Sequence, residues 1–334
     1  MRFSQYFYEW LYGKDGYYSK YKDIGKSGDF FTAVSTSKFF GGAIAKQIIK
    51  TINDGILPKN TTIVEIGAHH GYLLADIIEF INTLEPDLLD TLSFTIVERY
   101  EHLRQKQKEY FEESFGDVIK LQHFNDISQI KLDSAYIVAN EIFDAFECEL
   151  VFEKDNEKQL GMVNNHKIEF VKNDDNELLN RCKKYEITKG ELAIGYEKFA
   201  ENMCENIQKF HFMTFDYGDL YPRNDFSARI YAKHNVFPLF EDDLNLEKYY
   251  AKSDITYDVH FGYLIDCFES AGAKKLSYQT QLKALVEFGI IELLEMVQKY
   301  ATEKEYIHEV QKVKTLLEPI GMGERFKMVL FTKK

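Results

Sequence analysis

Apolar and polar residues alternate along the chain in blocks, and the clearest block is TTIVEIGAHHGYLLADIIEFI at residues 61–81. Residues 63–66 are a short apolar, β-branched run of the kind that a parallel strand covered on both faces requires. Gly67 and Gly71 bracket a tight turn, and from Tyr72 onward Leu73, Leu74, Ile77, Ile78 and Ile81 recur at helical spacing. Strand, glycine turn and helix form the unit that holds a nucleotide-like cofactor at the C-terminal edge of a parallel sheet; the alternative is plain strand–turn–helix packing. The same reading predicts strands at 93–97, 118–124, 135–139, 211–215 and 327–331, and helices at 37–51, 101–111, 196–210, 264–270 and 282–302. An amphipathic aromatic helix opens the chain within residues 1–21, hairpins fill 148–195, and 231–261 is loop-rich. Strands alternating with helices predict an α/β sheet.

Two details bear on the cofactor. A dinucleotide fingerprint wants a third glycine three residues after the second, and Leu74 stands there. The strand also ends in Glu65, which repels a pyrophosphate and suits a ligand carrying an amine. S-adenosylmethionine is such a ligand, with an ammonium, a sulfonium and no phosphate.

Ligands of α/β sheets bind outside the C-terminal strand ends, so Glu65, Glu98, Asp126, Asn140 and Glu141 are expected to converge on one crevice. Glu98 is placed to grip a ribose diol through two hydrogen bonds, and Asp126 to accept from an adenine amino group. Each of these acids has a plain alternative as a helix cap or a solvated side chain. Residues 25–32 hold two glycines and an acid before the next helix. Lys26-Ser27 within them is no phosphate loop, because the upstream glycine is missing.

The formal net charge of −13 excludes the basic footprint that nucleic-acid binding needs, and it is compatible with a basic protein substrate. Nothing in the sequence is long and apolar enough to span a bilayer, and the first residues carry neither a signal-peptide nor a transit-peptide pattern. Cys148, Cys182, Cys204 and Cys267 are unpaired in spacing, so reduced thiols in a bacterial cytoplasm are expected. No metal site is predicted, since adjacent His69 and His70 cannot by themselves encircle an ion.

Taken in order, several motifs resemble the MidA family: Gly28-Asp29-Phe30-Phe31-Thr32, Glu65-Ile66-Gly67 with Gly71, Leu103-Arg104 with Gln107, Asn140-Glu141 with Phe143-Asp144-Ala145, Asp216-Tyr217-Gly218, and Gly321-Met322-Gly323-Glu324. Mitochondrial members of that family are S-adenosylmethionine-dependent protein arginine methyltransferases that assist assembly of respiratory complex I. The resemblance spans nearly the whole chain. It implies a class I methyltransferase (Rossmann-like) fold: a seven-stranded sheet with helices on both faces, an N-terminal helical extension and an inserted substrate-binding subdomain. It implies that Gly28, Asp29 and Phe30 close the cofactor site above Gly67, Gly71 and Glu98. Three places depart from the family's pattern. The family's Gly-Pro-Gly-x-Gly turn is Gly67-Ala68-His69-His70-Gly71 here, Val34-Ser35-Thr36-Ser37 lacks an acid, and Asp258 and His260 stand exchanged.

The organisation expected is a helical segment with a closing loop at 1–55, core at 56–147, inserted hairpins and a helix at 148–210, and the rest of the core at 211–334 with a substrate loop at 219–262. For an arginine acceptor, carboxylates that localise charge on the far guanidinium nitrogens free the attacking lone pair. Glu141 and Asp144, three apart, are the expected pair, with helix capping as the alternative for Asp144; Asp258 and His260 are candidates for a second clamp or a base. The expected partner is a protein substrate, with a respiratory complex I subunit among the candidates, and self-association as a homodimer is open. Two other classes also stay open: a cofactor-binding assembly factor without methylation, and an NAD-dependent oxidoreductase.

Overall fold

The structure is a computed structural model that describes residues 1–20 and 32–334. It divides into two compact units. The larger is built from the described residues of Phe31–Ile142, Phe199–Asp216 and Phe268–Lys334. Its centre is a sheet of strands β1 (Thr62–Ile66), β2 (Ser93–Val97), β3 (Leu121–Phe124), β4 (Leu132–Asn140), β5 (Ile207–Asp219, up to Asp216 in this unit), β6 (Lys274–Thr280) and β7 (Phe326–Lys333). The spatial order is β6-β7-β5-β4-β1-β2-β3. β3, β2, β1, β4 and β5 run parallel, whereas β6 is antiparallel to β7. All five residues of β1 are buried, as a parallel strand covered on both faces must be.

Helices Phe39–Asn53 and Tyr72–Leu84 pack closely because Gly41 and Gly42 lack side chains. A Cβ on Gly41 would stand 2.6 Å from the Asp76 Cβ, and one on Gly42 would stand 2.8 Å from the Phe80 ring. Three expected boundaries need correction, and one helix was not expected. The helix predicted at 196–210 ends at Asn206, and Ile207 already begins β5. The helix predicted at 282–302 is two helices, Gln281–Glu287 and Ile290–Gln298, broken at Gly289 with φ +85°. A further helix, Glu303–Leu317, starts from a capping box between Thr302 and Glu305. The third strand starts at Leu121 and not at residue 118.

The smaller unit comprises the described residues of Met1–Phe30 with Phe143–Lys198 and Tyr217–Cys267. It holds an antiparallel sheet in the order Lys167–Lys172, Glu157–Asn164, Cys148–Lys154, Lys189–Ala193. The stretch expected to be loop-rich contains a three-stranded sheet, Asn235–Pro238, Arg229–Ala232 and Asp254–Thr256. The N-terminal helix Phe3–Leu11 buries Phe3, Phe7, Trp10 and Leu11 completely. Its polar atoms are matched too: Ser4 Oγ donates to Glu149 Oε1 at 2.7 Å and Trp10 Nε1 to the Ser253 carbonyl at 2.7 Å.

The four cysteines are reduced and buried, Cys148, Cys182 and Cys267 in the smaller unit and Cys204 in the larger. Burial pushes every one of these thiols above its ordinary pKa. Among the described residues no helix is long and apolar enough to cross a membrane, and no cluster of His, Cys, Asp and Glu is arranged to hold a metal.

Candidate cofactor and active site

The register of the sheet sets the site. Ile66 lies opposite Val97 on one side and Ala139 on the other, and Val97 lies opposite Phe124. The next residue of each strand therefore falls in one row: Gly67, Glu98, Asn140 and Asn125. Of the five residues expected to converge, Glu98 and Asn140 fall in that row, Glu65 lies two positions before it, and Asp126 and Glu141 lie one position after it.

Glu65, two residues before Gly67, is buried, and its Oε2 accepts the Leu74 N–H at 3.0 Å. The helix Tyr72–Leu84 begins at Gly71, which has no side chain to cap it, so Glu65 supplies the missing acceptor. Burial pushes this carboxyl up to about 8, with the nearby charges of Asp76 and Glu98 adding to the effect and the Leu74 N–H opposing it. An uncompensated buried acid of this kind favours a ligand that brings a positive charge.

The turn after β1 is left-handed at three places: Gly67 (φ +72°), His69 (φ +47°) and Gly71 (φ +80°). A Cβ on Gly71 would stand 3.1 Å from the Phe111 ring and 3.5 Å from Ile96. That glycine is thus required by φ and by core packing. Gly67 is exposed. His69 and His70 stand edge to face at 4.1 Å, and His70 stacks on Tyr72 at 5.0 Å.

Glu98 is 6 % exposed and accepts backbone N–H groups of His69, Arg99 and Tyr100, the last at 3.2 Å. Burial raises its pKa, while those N–H groups and Arg104 oppose the rise. Arg104 Nη1 donates to the Glu98 carbonyl at 2.7 Å and so clamps the strand end itself. Asp126 is exposed and caps the turn Ile127–Gln129 by accepting the Ser128 N–H at 2.8 Å. Asn140 Nδ2 donates to Glu141 Oε1 at 2.7 Å, and the buried Asn140 Oδ1 has no partner among the described residues. Glu141 is half-buried and left-handed, φ +54°, and its N–H donates to the Phe215 carbonyl at 2.8 Å. Gly28, Asp29 and Phe30 lie outside the described residues.

The remaining candidates belong to the smaller unit, and here expectation and structure part. Asp144 is 4 % exposed, accepts from the Tyr217 hydroxyl and faces Arg229. Burial still raises its carboxyl to about 6. Its cation is already in the chain, which corrects the expectation that it grips a substrate guanidinium beside Glu141. Asp258 needs the same correction, since Arg229 Nη2 stands 2.6 Å from Oδ1 and Arg223 Nη1 3.3 Å from Oδ2. The Arg229 guanidinium also lies over the Tyr217 ring at 4.4 Å. His260 donates to the Leu220 carbonyl, and burial drops its pKa to about 4, so it is a neutral imidazole and a weak base. Gly218 has an exact reason in packing: a Cβ there would stand 2.1 Å from the Val259 carbonyl oxygen. Sequence reasoning missed Arg229, which stands between Arg223 and Lys233 with no local signal to set it apart.

The row fits a ligand with an amine and a diol. With Glu65 beside it, the row offers a buried acid, a second acid held by N–H groups and an amide oxygen without a partner among the described residues. Comparison with known proteins agrees. A crystal structure from Burkholderia thailandensis, of a superfamily member bound to S-adenosyl-homocysteine, matches with a TM-score of 0.85 at 21% identity, covering 100% of this chain and 88% of that one. A native crystal structure of the same superfamily and organism matches with a TM-score of 0.83 at 20% identity, covering 100% and 87%. These likenesses carry the fold. A family model described as "Putative S-adenosyl-L-methionine-dependent methyltransferase" matches residues 43–279, which sets aside the nicotinamide oxidoreductase alternative. The chain belongs to that family of S-adenosylmethionine-dependent methyltransferases.

Proposed function

We propose that the methyl acceptor is a guanidinium nitrogen of an arginine in a partner protein, as the motif resemblance to the MidA family implies. The observation that carries this reading is Glu141. A non-glycine residue held left-handed costs on the order of 1–3 kcal/mol and persists where the surroundings impose it, which occurs most often at functional sites. Its carboxylate stands at the end of β4, oriented by the Asn140 amide.

The bound cofactor supplies an electrophilic methyl group on a sulfonium. The chain's residues do the rest by placement. Glu65 balances the ammonium, Glu98 accepts from the ribose hydroxyls and Asp126 from the adenine amino group. Glu141 would accept from two guanidinium N–H groups, which keeps charge on those nitrogens and frees the lone pair of the third; as that nitrogen takes the methyl, S-adenosylhomocysteine leaves and the proton that the nitrogen carried passes to solvent. The partner presents its arginine on a basic segment, which a chain of net charge −13 attracts; a subunit of respiratory complex I is the partner class that the resemblance suggests.

The test is transfer of labelled methyl from S-adenosylmethionine into a lysate of cells that lack this protein. Label recovered in methylarginine of a discrete protein supports the reading. Label recovered only in small molecules, or on another side chain, overturns it.

A further inference from the structure

We infer that Gln107 is a positioning residue for the cofactor turn: its side-chain amide holds the His69 carbonyl, and this keeps the His69 N–H on the Glu98 carboxylate. The inference rests on the reading that Glu98 takes the ribose diol. Helix Glu101–Phe115 buries Leu103, Gln107 and Phe111 along one stripe. Gln107 is the polar member and is 0 % exposed. A buried amide must find partners for both ends. Nε2 donates to the His69 carbonyl at 2.8 Å, and Oε1 lies 2.9 Å from His123 Nε2.

The orientation follows without ambiguity. A carbonyl only accepts, so the amide nitrogen faces His69, its oxygen faces His123, and His123 carries its proton on Nε2. The other nitrogen, Nδ1, is buried with no partner among the described residues, and burial with Lys108 and Arg104 nearby holds the ring neutral. The amide is thus held from behind by the His123 imidazole.

The turn needs such a strut. His69 sits at φ +47°, a region that side-chain-bearing residues avoid and a glycine adopts unaided. Its N–H is one of the donors on Glu98. Gln107 Cγ would also stand 3.5 Å from a Cβ on Gly71, so one residue backs both the middle and the end of the turn. Where a turn of glycines keeps its shape by itself, this one is held by a neighbouring helix.

The experiment compares wild type with Gln107→Met, which keeps length and loses the donor. Two ligands are titrated, S-adenosylhomocysteine and its 2′,3′-dideoxy analogue, and amide exchange of residues 67–71 is followed without ligand. Gln107→Met is expected to lose about tenfold in affinity for S-adenosylhomocysteine, to lose much less for the dideoxy analogue, and to exchange the His69 amide faster. Gln107→Glu, which keeps the acceptor for His123 and loses the donor for His69, gives the same pattern if the methionine variant fails to fold. Equal losses for both ligands, or an unchanged His69 exchange rate, would reduce Gln107 to packing and overturn the inference. Failure of the wild type to bind either ligand would instead sink the cofactor reading of the strand ends.

Discussion

Glu65 Oε2 accepts the Leu74 N–H at 3.0 Å, which makes one buried carboxylate both the cap of a helix and the acid at the end of β1. The two duties pull in opposite directions. A cap is satisfied by any acceptor, whereas balancing an ammonium needs the charge.

Glu65→Gln separates them. The folded pKa, about 8, lies above the ordinary 4.5, so the folded ligand-free protein binds an extra proton between those values. Its contribution to stability is therefore complete below about 4.5 and is lost as pH rises toward 8. Glu65→Gln keeps the acceptor and removes the loss, so the ligand-free Tm at pH 8 rises. Affinity for S-adenosylhomocysteine falls about tenfold or more. Calorimetry of the wild type at pH 7 in two buffers of different ionisation enthalpy gives release of about one proton on binding. A lower Tm combined with unchanged affinity contradicts the assignment.

Gly71→Ala and Gly67→Ala differ in kind. Gly71 is left-handed and its Cβ would press on Phe111, so alanine there costs roughly 1–2 kcal/mol in urea unfolding, beyond any loss of binding. Gly67 is left-handed as well, and its Cβ would stand 2.9 Å from the Ile142 Cγ2 methyl, so alanine there also carries backbone strain. Because Gly67 is exposed at the end of β1 and not packed against the core, alanine there is expected to weaken cofactor binding more than alanine at Gly71 does. The reverse order would place the cofactor away from Gly67.

Glu141→Gln keeps shape and loses charge. Methylation of an arginine-bearing substrate is expected to fall about tenfold or more, and cofactor affinity to stay within about twofold. Steady-state rates and a direct binding isotherm measure the two separately. Loss of cofactor binding reassigns the residue to the ammonium or the ribose.

Arg229 is 11 % exposed and serves Asp144, Asp258 and the Tyr217 ring together. Arg229→Met strands two carboxylates and is expected to destabilise the protein by about 3–5 kcal/mol at pH 8. Asp144, already raised to about 6, protonates as pH falls, so the penalty shrinks at pH 5. Urea midpoints at the two pH values decide it, and an equal loss at both means that Asp144 stays charged in the variant.

Most of the parallel core was legible because its signals are local. Residues 61–81 and 93–97 read as their elements almost to the residue, since β-branched runs and helical spacing are properties of short windows. β6 escaped because it is an exposed, polar strand recruited by pairing with β7. The capping box at Thr302 was written in the sequence, but an apolar pattern running up to it hid the start of a new helix. Glu65 and Glu98 were legible as strand-end acids. That Asp144 and Asp258 are neutralised from within was not, because Arg223 and Arg229 lie far along the chain and charge pairing across a fold leaves no trace in spacing.

The burial of the thiols gives the protein a built-in reporter of its own opening. A folded molecule presents no cysteine to an alkylating reagent, so each modified thiol marks the moment when its surroundings part. Cys148, Cys182 and Cys267 report on one unit and Cys204 alone on the other. Peptide-resolved mass spectrometry after brief alkylation, with and without cofactor, therefore reads the local stability of each unit from the unmodified chain, with no label engineered in.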